Sequence, residues 1–157
     1  MKAATIAELK QELTNLSQKE LIELCLRLGR FKKENKELLT YLLYESHDEE
    51  GYIRNVKKEI EEQFGTINLS HLYFAKKTLR KILRIISKHV RYTGSRQAEA
   101  EWLIHFCKQI NEHNIPVEKN QALLNLYNHQ VKKIKAAIDT LHEDLQYDYL
   151  KQMSELS

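Results

Sequence analysis

Eight Lys and Arg residues lie between Glu62 and Glu99, an interval that contains no Asp or Glu. On a helix with about 100° per residue, six of these cations fall within an arc of roughly 100°. These six cations form what we call the basic stripe: Lys77, Arg80, Lys81, Arg84, Lys88 and Arg91. Such a row can bind several phosphates at once. Tyr73 lies on the basic side and Tyr92 at its edge, where rings can stack on unpaired bases.

The basic stripe therefore predicts a site for nucleic acid or another polyanion, although acidic segments of the chain could instead cover it. The net charge is −2 over residues 1–62, +8 over 63–98 and −3 over 99–157, so the flanks could fold against the stripe and neutralise it. The candidates for such cover are Glu59, Glu61, Glu62, Glu143 and Asp144. The stripe could also simply face solvent. A membrane surface is disfavoured, because the apolar side of this segment contains no Trp.

Other chemistries find little support in the spacing of polar residues. Glu101 with His105, and Asp139 with His142, could each give two metal ligands, but a dimetal bundle needs Glu-x-x-His twice, which does not occur. Zinc-protease, phosphate-loop and nucleophile-elbow motifs are also missing from the sequence. We therefore expect no metal, no cofactor and no catalysis. Cys25 and Cys107 lie in apolar contexts and are expected to be buried thiols.

The elements that must position the stripe are helices, because only 4 Gly and 1 Pro interrupt a chain in which 30% of residues are charged. The pattern predicts an all-α protein of about seven helices, over approximately 6–13, 18–28, 36–44, 53–64, 70–93, 95–113 and 117–153. Thr5, Ser17 and Asn35 are the expected N-caps of the first three helices. The acidic segment 46–51 is interpreted as a linker between a three-helix unit, 1–46, and a larger bundle, 52–157.

The long last helix carries a heptad pattern, and an apolar residue is missing at Asp148, where a bend is expected. Its apolar positions are Leu124, Tyr127, Val131, Ile134, Ile138, Leu141 and Leu145. They can pack on the chain's own helices or form the seam of a homodimer. No apolar run is long enough to span a membrane and no secretory segment is present, so a cytoplasmic location is expected.

Two stretches carry a family resemblance: Leu13-x-x-Leu16-Ser17-x-x-Glu20-Leu21-Ile22-Glu23-Leu24, and Lys76-Lys77 together with the run from Ala98 to Phe106. They resemble an uncharacterised bacterial family of small all-helical proteins, which implies a helical fold and suggests no particular activity. The expected function is therefore non-catalytic binding of an anionic macromolecule, most plausibly nucleic acid, through the basic stripe. The alternative is a protein-interaction or scaffold module that acts through its helical surfaces.

Overall fold

The computed structural model describes residues 1–156, and this range contains eight α-helices and no strand. The helices are α1 (Ile6–Thr14), α2 (Gln18–Phe31), α3 (Lys33–Thr40), α4 (Glu49–Phe64), α5 (Leu72–Thr93), α6 (Arg96–Glu112), α7 (Gln121–Ile138) and α8 (Glu143–Ser154). A π-helical turn, Tyr41–Glu45, follows α3, and a 3₁₀ turn, Val117–Lys119, precedes α7. The all-α class is confirmed, with eight helices in place of about seven. None of the described helices is long and apolar enough to cross a membrane.

The chain divides into a first unit, Met1–Tyr44, and a second unit that begins at Glu45. In the first unit, α1 and α2 begin at the predicted N-caps Thr5 and Ser17, and each start forms a reciprocal capping box. The Ser17 amide donates to Glu20 Oε2 at 2.8 Å, while the Glu20 amide donates to Ser17 Oγ at 3.2 Å. Thr5 and Glu8 form the same pair at the start of α1. Each box satisfies amides that the first helical turn leaves without a partner.

The prediction for the end of α2 and the start of α3 is wrong in two ways. Helix α2 continues through Gly29 to Phe31, and a Cβ at Gly29 would lie 3.1 Å from Leu39 Cδ1. Gly29 therefore allows α3 to approach closely rather than ending the helix. Helix α3 begins at Lys33, so Asn35 lies inside this helix and does not cap it. The side-chain amide of Asn35 instead donates to the Leu28 carbonyl at 2.8 Å and so satisfies a carbonyl near the end of α2.

The second unit contains a continuous apolar core built from α4, α5, α6 and α7. Helix α6 lies at its centre and buries ten residues, including Trp102 and Phe106, which have no exposed surface. The Trp102 indole donates to the Ile53 carbonyl at 3.1 Å, so its one polar group is satisfied. The Phe106 ring packs 5.6 Å from the ring of Phe64 at the end of α4. This core fixes the orientation of α5, which carries the basic stripe.

Two boundary predictions in the second unit are corrected. The acidic segment 46–51 is not wholly a linker: α4 begins at Glu49, and the Asp48 carboxylate caps it by accepting from the Gly51 amide at 3.0 Å. The last helix is not continuous to Met153 but breaks at 139–142, before the expected bend. At this break the side-chain amide of Gln146 donates to the Leu141 carbonyl at 2.9 Å, and the His142 ring caps α8. The backbone groups that lose their helical partners at the break are therefore partly satisfied.

The heptad residues of α7 mostly pack within the second unit. Ile134 and Ile138 of α7 are buried in its core, and Tyr127 packs against it. Leu141, at the break after α7, and Leu145, on α8, also pack against this core. The two thiols differ: Cys107 is buried, as expected, but Cys25 is exposed on α2, which is a correction to its predicted burial. Burial raises the pKa of the Cys107 thiol to about 12, so this group stays protonated at neutral pH.

Candidate nucleic-acid interface

Helix α5 is a 22-residue helix with one apolar and one basic side. It begins after His71 without a side-chain cap, and the Asn68 side chain accepts from the Ser70 amide at 2.9 Å. It ends at Gly94, whose φ of 61° lies in the left-handed region that favours glycine. The apolar side is anchored by four buried residues: Ala75, Leu79, Ile82 and Ile86. The opposite side is therefore the one that remains accessible.

The structure places five of the six stripe cations in solvent. Lys77, Arg80, Lys81, Arg84 and Arg91 are exposed. Within residues 1–156, none of these five cations forms an ion pair; the ion pairs of the second unit involve Lys57, His89, Arg96, His105 and His142 instead. Lys88 is partly buried and already interacts within the chain. The five exposed cations thus present their charge outward.

The acidic residues that could have covered the stripe have other partners or positions. Glu59 accepts from the His89 ring, with 3.0 Å between Nε2 and Oε2. Glu61 lies 3.0 Å from His105 Nε2, and Glu62 is exposed on α4. Glu143 and Asp144 are exposed in the first turn of α8. Among the described residues, none of these carboxylates forms an ion pair with the five exposed cations.

One edge of α5 is held by a series of hydrogen-bonded side chains that continues into the core. The Tyr52 hydroxyl lies 2.6 Å from His89 Nδ1, and the other ring nitrogen of His89 faces Glu59. A proton on Nε2 lets His89 donate to Glu59 and accept from Tyr52, so both ring nitrogens are satisfied. The His89 ring also packs 6.0 Å from that of Trp102. This edge fixes the rotation of α5 about its axis.

The two tyrosines of the predicted site lie in different surroundings. Tyr73, near the start of α5, is 66% exposed and packs edge-on against Phe74, with 5.5 Å between the ring centroids. Phe74 is also exposed, so the two rings form an aromatic platform at this end of the helix. Tyr92 is partly buried and packs edge-on against His89, 6.0 Å away. Tyr73 is therefore the better placed of the two for stacking on a base.

A cleft between α5, α6 and α7, of about 330 Å³, adds groups that the sequence did not identify. Arg84 and Arg91 of the stripe line it, and His129 and Lys133 line it from α7. Glu99 of α6 also lines it, is 5% exposed and accepts from Arg96 at 2.8 Å. The signal in the sequence was the spacing of four between His129 and Lys133, which puts both on one face of α7.

Glu101 and His105, which were considered as metal ligands, have structural contacts. Glu101 accepts from the Tyr149 hydroxyl at 2.8 Å and pairs with Lys57. Burial lowers the pKa of His105, although the neighbouring Glu61 carboxylate opposes this effect. Across residues 1–156, no three His, Cys, Asp or Glu side chains are grouped in a way that could hold a metal ion.

The site as described consists of a basic helix face, an aromatic platform at one end and a cationic cleft along one side. Its residues can bind phosphates and stack on rings, and they do not form a recognisable set of nucleophile, base and oxyanion donors. Comparison of the chain with protein-family models, with curated proteins and with solved structures finds no match.

Proposed function

We propose that this is a non-catalytic nucleic-acid-binding protein whose contact surface is the basic stripe of α5. The observation that carries the proposal is the row of five exposed cations without an ion pair in the described chain. Unpaired cations on a surface retain their full charge for an anionic partner. The row belongs to a helix that is anchored in a core, so little conformational entropy is lost when it binds.

The length of the row suits a nucleic-acid strand. From Lys77 to Arg91 the helix advances by about 21 Å at 1.5 Å per residue. That distance equals about six steps of a duplex strand at 3.4 Å each. Arg84 and Arg91 would contact phosphates together with Lys133 across the cleft, and Tyr73 would stack on a base at the end of the helix. Phosphate contacts and stacking carry little sequence information, so we expect weak sequence preference.

A salt series tests this proposal. Fluorescence anisotropy would measure the affinity of the full chain for a labelled single-stranded RNA and for a duplex DNA. If five cations contact phosphates, the logarithm of the affinity falls by about 4.5 per tenfold increase in salt for the duplex and by about 3.5 for the single strand. The variant Lys77→Glu, Arg84→Glu, Arg91→Glu should bind much more weakly. Because it lacks three phosphate contacts, the salt dependence of its remaining affinity should be shallower by up to about 3 units.

A matched control makes the charge reversal specific. Arg30→Glu, Lys32→Glu, Lys36→Glu changes the net charge by the same amount, at three exposed positions of the first unit. It should leave most of the affinity and the slope intact. Circular dichroism must show that both triple variants retain their helix content. Equal losses in the two variants, or no binding at low salt, would contradict the proposal.

A second candidate function is a protein-interaction module that acts through helical surfaces. The observation that favours it is the exposure of large apolar residues in the first unit, from Ile6 at 81% to Leu13 at 36%. Contiguous apolar patches of this kind mark interaction surfaces in water-soluble proteins. Binding of a protein partner that survives the Lys77→Glu, Arg84→Glu, Arg91→Glu substitutions would support it, and loss with those substitutions would count against it.

A further inference from the structure

The first unit does not enclose its own apolar residues. Tyr41 is its one buried residue, at 8% exposure, and no residue of α1, α2 or α3 is buried. Besides Met1, eleven large apolar residues of the unit are exposed: Ile6, Leu9, Leu13, Ile22, Leu24, Leu26, Leu28, Phe31, Leu42, Leu43 and Tyr44. Units of about 40 residues rarely fold without a disulfide, a metal or a partner. Neither a disulfide nor a metal-ligand cluster occurs among the described residues.

The exposed apolar residues of the first unit lie on more than one face. Leu26 and Leu43 line one groove, whereas Leu28 and Leu42 line another. Apolar surface that stays exposed in this way marks sites of protein association. The first unit therefore has a surface typical of proteins that associate with others. A permanent partner would cover this apolar surface better than a transient one.

The hairpin formed by α2 and α3 has two grooves of different charge. We call the first the Cys25 groove; it has a volume of about 230 Å³ and is lined by Cys25, Leu28, Asn35, Leu38, Leu39 and Leu42. We call the second the Arg30 groove; it has a volume of about 580 Å³, and Leu26 and Leu43 line it. It is also lined by four cations: Arg30, Lys32, Lys33 and Lys36. The Cys25 groove contains no charged side chain.

We infer that the protein is a homodimer in which the Cys25 grooves of two copies face each other across a two-fold axis. In such an interface each groove meets its own copy, so it must be uncharged or complementary to itself. The Cys25 groove meets this condition. The Arg30 groove would oppose four cations to four cations, which disfavours it. Two helical hairpins that pack in this way form a four-helix bundle and bury Leu28 and Leu42, which a single hairpin exposes.

This inference does not depend on the nucleic-acid proposal, and it supplies the partner for the protein-interaction alternative. The tests use the full chain. Light scattering coupled to gel filtration should give twice the 18.6 kDa mass of the chain. Leu28→Glu places two carboxylates in the interface and should weaken dimerisation at least about 100-fold, since a central residue of an interface carries a large share of its affinity.

The matched control is Leu26→Glu. Leu26 and Leu28 are 49% and 52% exposed and lie two residues apart, but they line opposite grooves. Leu26→Glu should therefore remain dimeric, with less than a tenfold change in the dissociation constant. A dimer that both substitutions disrupt equally would overturn the inference, and so would a dimer that neither substitution affects.

A measurement on the unmodified chain covers the case in which Leu28→Glu fails to fold. Cys25 lines the predicted interface and Cys107 is buried in the core of the second unit, so Cys25 is the thiol open to reagents in a monomer. Its rate of alkylation by a maleimide should fall severalfold as protein concentration rises. A rate that does not depend on concentration, together with a monomeric mass, would overturn the inference. Salt-dependent RNA binding by such a monomer would leave the nucleic-acid proposal unaffected.

Discussion

The two units contain amphipathic helices of similar composition, but only the second packs them into a core. Helix α2 of the first unit contains Leu21, Ile22, Leu24, Leu26 and Leu28, yet it buries no residue. Helix α6 of the second unit buries ten of its 17 residues. The difference lies in what surrounds each helix. α6 packs against α4, α5, α7 and α8, whereas α2 has α3 as its main neighbour.

This comparison shows that the burial of a helix depends on how many helices can cover it. Three helices of 9, 14 and 8 residues are too short to enclose a shared interior. Five helices of 12 to 22 residues in the second unit enclose 22 buried residues in one cluster. The second unit is therefore suited to hold a binding surface rigidly, and the first unit is suited to bind another protein surface.

Truncation of one leucine in each unit should give the largest difference between the units in lost free energy of unfolding. Leu79 has no exposed surface and anchors α5 beneath the basic stripe, whereas Leu43 is 70% exposed in the first unit. Leu79→Ala should lower the free energy of unfolding by about 2–5 kcal/mol, through lost burial and a cavity. Leu43→Ala should change it by less than about 0.5 kcal/mol. Urea unfolding followed by circular dichroism measures both, and similar losses would contradict the contrast between the units.

The sequence predicts helix termini well where a short side chain bonds to a nearby amide. Thr5 and Ser17 cap their helices as expected, because each of these bonds joins residues three apart. Predictions fail where the deciding contact comes from another helix. Gly29 is inside α2 because α3 passes close to it, and Asn35 reaches back seven residues to the Leu28 carbonyl. Neither contact leaves a signal in the local sequence.

The residues of the candidate site divide in the same way, into those that the local sequence identifies and those that only the packing of another helix brings there. The arc of exposed cations follows from helical spacing alone, since the apolar residues of α5 identify the buried side. The cleft residues His129 and Lys133 could not be assigned to the site from sequence, because they lie on α7, about 45 residues further along the chain. The exposure of Cys25 was also unpredictable, since an apolar helix normally indicates burial.

Removal of one helix cap in each unit should give an intermediate difference. Ser17 caps α2, and Ser95 caps α6 by accepting from the Ala98 amide at 3.1 Å. Replacement of such a cap by Ala typically costs about 1 kcal/mol. In the second unit Ser95→Ala should lower overall stability by that amount and leave the helix intact. In the first unit the loss should appear as fraying of α2, because no core holds its first turn. Amide hydrogen exchange at residues 18–22 and 96–100 measures both, and equal local protection in the two variants would argue against the comparison.

Acidification should give the smallest difference in stability between the two units. The two units should lose stability in separate pH ranges. Burial lowers the folded-state pKa of His105, which faces Glu61 and lies near Lys57 and Glu112. The unfolded chain therefore binds the proton more readily, so this contribution to stability is complete above the unfolded pKa of about 6.5 and falls as the pH drops through it.

The first unit contains no histidine. Hydrogen bonds from Thr5 and Ser17 lower the pKa of Glu8 and Glu20, so the capping boxes contribute above the unfolded pKa of about 4.5 and weaken as the pH falls below it. Between about pH 7.5 and 5.5, hydrogen exchange should thus report a loss of protection in α4 and α6 and none in α1 and α2. His105→Asn should reduce the loss, whereas His129→Asn, at an exposed position, should not. A parallel loss in both units over this range would show that histidine burial does not distinguish them.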